Sequence, residues 1–143
     1  MTGFVARLLL APVLVVAAAL LVKGYSEGGG GFAAGVTASL GVLLQHFALG
    51  REEVESRLPW TAHARPVALA GLALAAAVAL GPAAAGKPPV WHLPRPGAPA
   101  TSLGPLELHT AFLFEVGVAL ATFGFVVAVV HRIAATAWQE DGE

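Results

Sequence analysis

One carboxyl in this chain sits among residues that give it little company. Glu115 lies within Leu108 to Ile133, an apolar run in which the next charged side chain is Arg132. A carboxylate in lipid is costly unless it faces protein or water. Such a group either handles a proton or a cation on an internal pathway, or is a structural carboxyl hydrogen-bonded to a neighbouring helix. Thr122, seven residues on, falls on the same helical face and extends a polar stripe from it. Glu107 precedes Glu115 by eight residues, about 80° around a helix, so the two are not stacked; Glu107 reads as an interfacial charge or as one at the N-terminal end of the helix, where the dipole favours it. His109, beside it, is either a proton-exchanging group at a membrane surface or a plain interfacial imidazole.

Other chemistries find no residues to carry them. The chain has no cysteine, which excludes disulfides, thiolate metal sites and cluster ligation. His46, His63, His92 and His131 are scattered, and no pair has metal-ligand spacing on a common face, so neither a metal nor another cofactor is expected. No nucleophile elbow, zincin pair, dinucleotide fingerprint or phosphate loop occurs, so enzymatic activity is not expected. A formal net charge of -1 provides no basic field for nucleic acid. Gln45 and His46, about one turn from the end of an apolar run, read as interfacial side chains reaching water.

The elements that must position these groups follow from composition. Hydrophobic residues make up 57% of the chain and charged residues 12%, against about 25% charged in a soluble domain. The charges are segregated into connecting segments, leaving runs of membrane-crossing length. The chain therefore reads as one all-α integral membrane domain over residues 1–143, with four transmembrane helices at about 4–22, 32–49, 67–85 and 108–133. The bilayer is then a partner throughout. The first run is read as a retained helix, because it is longer than a signal-peptide core and lacks a clear cleavage site. Four spans put Arg7, Arg51, Arg57, Arg65 and Arg132 on one side and Lys23, Lys87 and Arg95 on the other; the positive-inside rule then makes both termini cytoplasmic.

Small residues mark where these helices approach one another. Gly31, Gly35 and Ser39 recur every four residues on the second span, and Gly117, Ala121 and Gly124 form a seam on the fourth. Gly71, Ala75 and Ala79 share a face of the third. Lys23 to Gly35, containing four consecutive glycines, reads as a tightly packed, outward-facing turn between the first two spans. In the segment Gly50 to Pro66, Glu53 and Arg57 stand at i and i+4 and suggest a short surface helix. Gly86 to Pro105 carries six prolines and reads as an ordered, extended cap at the membrane surface.

Two of these stretches carry a family resemblance. The segment from Gly24 to Gly35 is similar to a pattern of a Gly, three variable positions, Pro-Gly-Gly-Gly-Phe and small residues, matched here by Gly29, Gly30, Gly31 and Phe32. Glu107 to Val118, ELHTAFLFEVGV, is similar to E-L-x-T-A-x-x-F-D-x-G-V. Both patterns, in this order and spacing, are those of the B subunit of multi-subunit Mrp-type (Mnh-type) monovalent cation/proton antiporters, which the chain resembles over nearly its whole length. It departs from them at Gly28 (usually Pro), Ala34 (usually Gly) and Glu115 (usually Asp).

The resemblance implies a multi-pass subunit of the cytoplasmic membrane, working with sister subunits in a complex that exchanges sodium or another monovalent cation for protons. Glu115, Thr122, His109 and Glu107 are the candidate pathway groups; Gly29, Gly30, Gly31, Phe32, Gly35, Ser39, Gly117, Ala121 and Gly124 form the packing motif. Two other readings stay open at this point: a membrane module of a redox-driven ion pump such as a membrane-bound hydrogenase, and a scaffold that handles no ions.

Overall fold

The structure is a computed structural model that describes residues 2–27, 30–91, 102–103, 106–107 and 110–140. Its elements are α1 (Thr2–Glu27), α2 (Gly30–Leu49), α3 (Arg51–Arg57), a 3-10 turn (Pro59–His63), α4 (Ala64–Ala84), a two-residue hairpin of β1 (Ser102–Leu103) and β2 (Leu106–Glu107), and α5 (Thr110–Glu140). Four segments are long and apolar enough to cross a membrane: Thr2–Gly24, Gly30–Leu49, Pro59–Ala84 and Thr110–Ile133. They stand side by side in the order α1, α2, α5, α4, with α5 in contact with both α2 and α4. Hydrophobic side chains such as Phe4, Leu8, Val15, Leu69, Leu72 and Phe125 point away from the packed seams. In a bilayer that apolar surface needs no cover from water, so the small internal core is no deficit.

The helix ends follow from local chemistry. α1 continues through Lys23 and Gly24 to Glu27, beyond the expected end of the first span. It also contains Pro12, which removes one ladder donor within the helix, a loss that membrane helices accommodate. Gly50, the single residue between α2 and α3, has φ 78°, a conformation open to glycine because it has no Cβ. α5 is described from Thr110 onward, and Leu106 and Glu107, just before it in sequence, pair in the hairpin. It then runs to Glu140, so the polar tail expected from Gln139 starts as helix; Ala134, Ala135 and Ala137 favour that continuation. Lys87 to Trp91 follow α4, and most of the proline-rich segment lies outside the described residues.

Val42, Ala64 and Val127 form a buried cluster, with Phe123 and Ala128 packed against it. It joins α2, α4 and α5 at the end of the molecule where α3 and the 3-10 turn fold across. The ring of Trp60 lies 5.8 Å from that of Phe123, carrying the turn onto the same cluster.

Candidate functional site

The amide of Gly31 donates a hydrogen bond of 2.5 Å to Glu115 Oε2 across 84 residues of sequence. Gly31 is the second residue of α2, so its N–H has no acceptor within its own helix. Glu115 therefore does for α2 what an N-cap side chain usually does, but from the neighbouring helix α5. An acidic side chain is favoured at that end because the helix dipole is positive there. This contact joins the glycine stretch to the acidic motif, the two segments that carry the family resemblance.

Glycine makes the approach possible. A Cβ on Gly31 would stand 2.6 Å from Glu115 Oε2 and would also collide with the Glu115 backbone. One turn along, a Cβ on Gly35 would meet Ala119 O at 2.7 Å and Thr122 Cβ at 2.8 Å. Thr122 thus packs over the Gly35 backbone, one side of α5 presenting Glu115, Ala119 and Thr122 to α2. Ser39, 1% exposed, continues the α2 side and donates to the Val36 carbonyl of its own helix at 2.8 Å.

The opposite side of α5 is pressed onto α4. A Cβ on Gly117 would lie 2.7 Å from Ala75 N, one on Gly71 would lie 2.7 Å from Gly117 O, and one on Gly124 would lie 2.6 Å from Ala64 O. Ala121 stands in the same seam, its amide against Gly71. α5 is therefore clamped between two backbones, and Glu115 is held in register by both.

The remaining candidate residues distribute as follows. Gly30 is buried where α2 passes the end of α1, a Cβ there coming 2.6 Å from Leu20 O. Phe32 is 60% exposed and points out of the helix row. The Glu107 backbone is in β2 rather than on the helix that carries Glu115, so its position is set by the hairpin and not by a helical angle. Gly29 and His109 lie outside the described residues. Among the described residues no group of three or more His, Asp or Glu is arranged to hold a metal.

A second polar region lies at the α3 end and differs from expectation. Gln45 and His46 do not reach out to water: they are 2% and 8% exposed. Gln45 Nε2 donates to Ala6 O at 2.6 Å, fastening α2 to α1. Burial follows from the chain beyond them, because the single-residue turn at Gly50 lays α3 back over the end of α2. Glu53 then binds two elements, Arg57 of its own helix at 2.5 Å and Arg7 of α1 at 3.1 Å. Arg57, by hydrogen bond and charge, holds the Glu53 carboxyl below its ordinary value of 4.5, with a smaller contribution from Arg7. Arg51 does the same for Glu55, which it meets at 2.5 Å. Spacing made the Glu53–Arg57 pair legible, whereas the Arg7 contact depends on the packing of α1 against α2.

Comparison with known proteins places the sequence in a family. The sequence model of the family described as "Domain related to MnhB subunit of Na+/H+ antiporter" matches residues 1–128. A relative in Rhizobium meliloti (strain 1021), named as the A/B subunit of a probable K(+)/H(+) antiporter, is 33% identical over 121 residues, which is 84% of this chain and 12% of that much longer protein.

Proposed function

This chain belongs to the family of domains related to the MnhB subunit of Na+/H+ antiporters, and on that premise we propose that it is a membrane subunit of a monovalent cation/proton antiporter complex of the cytoplasmic membrane, with both termini in the cytoplasm. Its part in that complex is to hold the α2–α5 pair in a fixed geometry through Glu115, at a place where an ionisable carboxyl meets a helix N-terminus. The observation that carries this reading is the 2.5 Å bond from the Gly31 amide to Glu115. Sister subunits are the partners, seated against the exposed apolar sides of α1 and α4. The cation carried, sodium or potassium, belongs to the complex as a whole.

The test is antiport in everted vesicles containing the whole complex, comparing wild type with Glu115→Gln and Glu115→Ala while the amount of assembled complex is followed in parallel. Gln keeps an acceptor for Gly31 but cannot carry charge. An assembled Gln variant without antiport assigns Glu115 to the ion or proton path as well as to the clamp. An assembled Gln variant with normal antiport, alongside an Ala variant that fails to assemble, assigns it to the clamp alone. Normal assembly and transport in both variants would sink the proposal for Glu115.

A further inference from the structure

Two arginines share one carboxylate at the edge of α3. Arg7 Nη2 of α1 lies 3.1 Å from Glu53 Oε1, and Arg57 Nε lies 2.5 Å from the same oxygen. One positive charge is therefore left over. The other charges of α3 do not cancel it: Arg51 is paired with Glu55, and exposed Glu52, about 200° around the helix from buried Val54, faces away from the bundle. A guanidinium carries five N–H donors, and the two arginine side chains are 45% and 49% exposed. Donors beyond those given to Glu53 remain for a further anion.

Beside these arginines lies a cavity of about 210 Å³. Arg7 and Arg57 are its exposed lining and form its mouth, whereas Val54 and Gln45 are fully buried and form its floor. Its remaining walls are Leu10, Leu49 and Leu58. Gln45 adds little polarity, because its Nε2 is committed to Ala6 O. The cavity is thus cationic at the mouth and apolar within. Its depth is that of a membrane surface: the first span begins at Thr2, the second ends at Leu49 and the third begins at Pro59. Arg7, five residues into the first span, is roughly 7.5 Å from its end, within reach of the surface for a long side chain.

We infer that this cavity binds an anionic phospholipid, its phosphate held by Arg7 and Arg57 and the start of one acyl chain lying on Leu10, Leu49 and Leu58. The planar fork of a guanidinium matches phosphate oxygens, and the single negative charge of a phosphodiester balances the single positive charge left by Glu53. Basic pockets between membrane helices bind anionic headgroups for the same reason. A free phosphate would satisfy the guanidinium groups but not the leucines, and a phospholipid with a cationic headgroup, neutral as a whole, would leave the surplus charge in place. The inference rests on the four spans lying in a bilayer, and on neither the cation carried nor the role of Glu115.

The test uses the whole complex in detergent and a phosphatidylglycerol with a photoactivatable diazirine near the start of one acyl chain, the labelled peptides being identified by mass spectrometry. Labelling is expected on the peptides that hold Leu10 and Leu58. Unlabelled phosphatidylglycerol is expected to compete several-fold better than phosphatidylcholine with the same chains, and inorganic phosphate not to compete. Arg7→Gln and Arg57→Gln are each expected to lower the labelling about fivefold at low salt, while Arg65→Gln, an exposed arginine outside the cavity lining, leaves it unchanged. Leu10→Trp fills the cavity without altering a charge and is expected to abolish labelling; it decides the matter if the arginine variants do not assemble. Equal competition by phosphatidylcholine, displacement by inorganic phosphate, or labelling that survives in Leu10→Trp would overturn the site. So would an unlabelled wild-type complex, whose cavity a segment of a sister subunit would then fill.

Discussion

The Gly31 amide and the Glu115 carboxyl meet at 2.5 Å although 84 residues separate them. The contact ties the start of α2 to the middle of α5, and it exists only because Gly31 lacks a Cβ on the side that faces Glu115. Polar group and small residue are thus one device. The carboxyl supplies the acceptor, and the glycine supplies the distance.

Removing the acceptor leaves a buried amide unsatisfied, at a cost of about 1–3 kcal/mol. Glu115→Ala is therefore expected to lower the melting temperature of the detergent-solubilised complex, with Glu115→Asp falling between Ala and the wild type because its carboxyl is one methylene shorter. Gel-filtration of heated samples gives the ranking. Asp as stable as Glu would mean that the helices close up to restore the bond.

The α4–α5 seam makes a sharper prediction because the chain contains its own control. Gly71 has Gly117 O and the Ala121 amide where a Cβ would go, whereas Gly81 on the same helix has open space. Gly71→Val is expected to destabilise by about 1–3 kcal/mol or more, since backbone cannot rotate out of the way as a side chain can. Gly81→Ala is expected to be neutral or slightly stabilising, by up to about 1 kcal/mol. Equal effects at the two sites, measured as the yield of assembled complex, would refute the seam.

Hydrophobic runs, segregated charges and small residues at four-residue spacing made the helical membrane architecture and the candidate seams legible, because each depends on residues close in sequence. Glu115 was conspicuous for the same reason. Its partner was not: that a carboxyl on α5 should find the second residue of α2 depends on which helices become neighbours, and periodicity carries no such information. The burial of His46 and Gln45 was misjudged on similar grounds. Distance from the end of an apolar run indicates interface only when nothing folds over that end, and here Gly50 turns α3 directly across it. Glu107 was misplaced by extending a helical angle into residues that pair as a hairpin.

Acid should loosen α3. Pairing holds the Glu53 and Glu55 carboxyls below their ordinary value of 4.5, through Arg57 and Arg51 respectively. A lowered folded value means that the contribution is complete above about pH 4.5 and is lost as pH falls through the lower folded values. Both groups are exposed to solvent, so the effect is small and screened by salt. Hydrogen exchange of the α3 amides is expected to accelerate only below about pH 4.5, with Glu53→Gln showing part of that acceleration already at neutral pH. Acceleration between pH 6 and 8 in the wild type would assign the control of α3 to other groups.

Gln45 separates the shape of a buried side chain from its polarity. Its amide donates to Ala6 O at 2.6 Å, and that carbonyl also belongs to the helical ladder of α1, so it is not orphaned when the side chain goes. Gln45→Leu keeps most of the volume and replaces one hydrogen bond by apolar contact, a change expected to fall within about 1 kcal/mol of the wild type. Gln45→Glu keeps the shape but sets a carboxyl oxygen against the Ala6 carbonyl oxygen, two acceptors in a place that is 2% exposed. That costs about 1–3 kcal/mol or more, and the variant is expected to yield less assembled complex than Leu does. The order Leu above Glu is the decisive result: if Glu were tolerated as well as Leu, the α1–α2 contact at Gln45 would have to be hydrated, and Gln45 would lie at the interface after all.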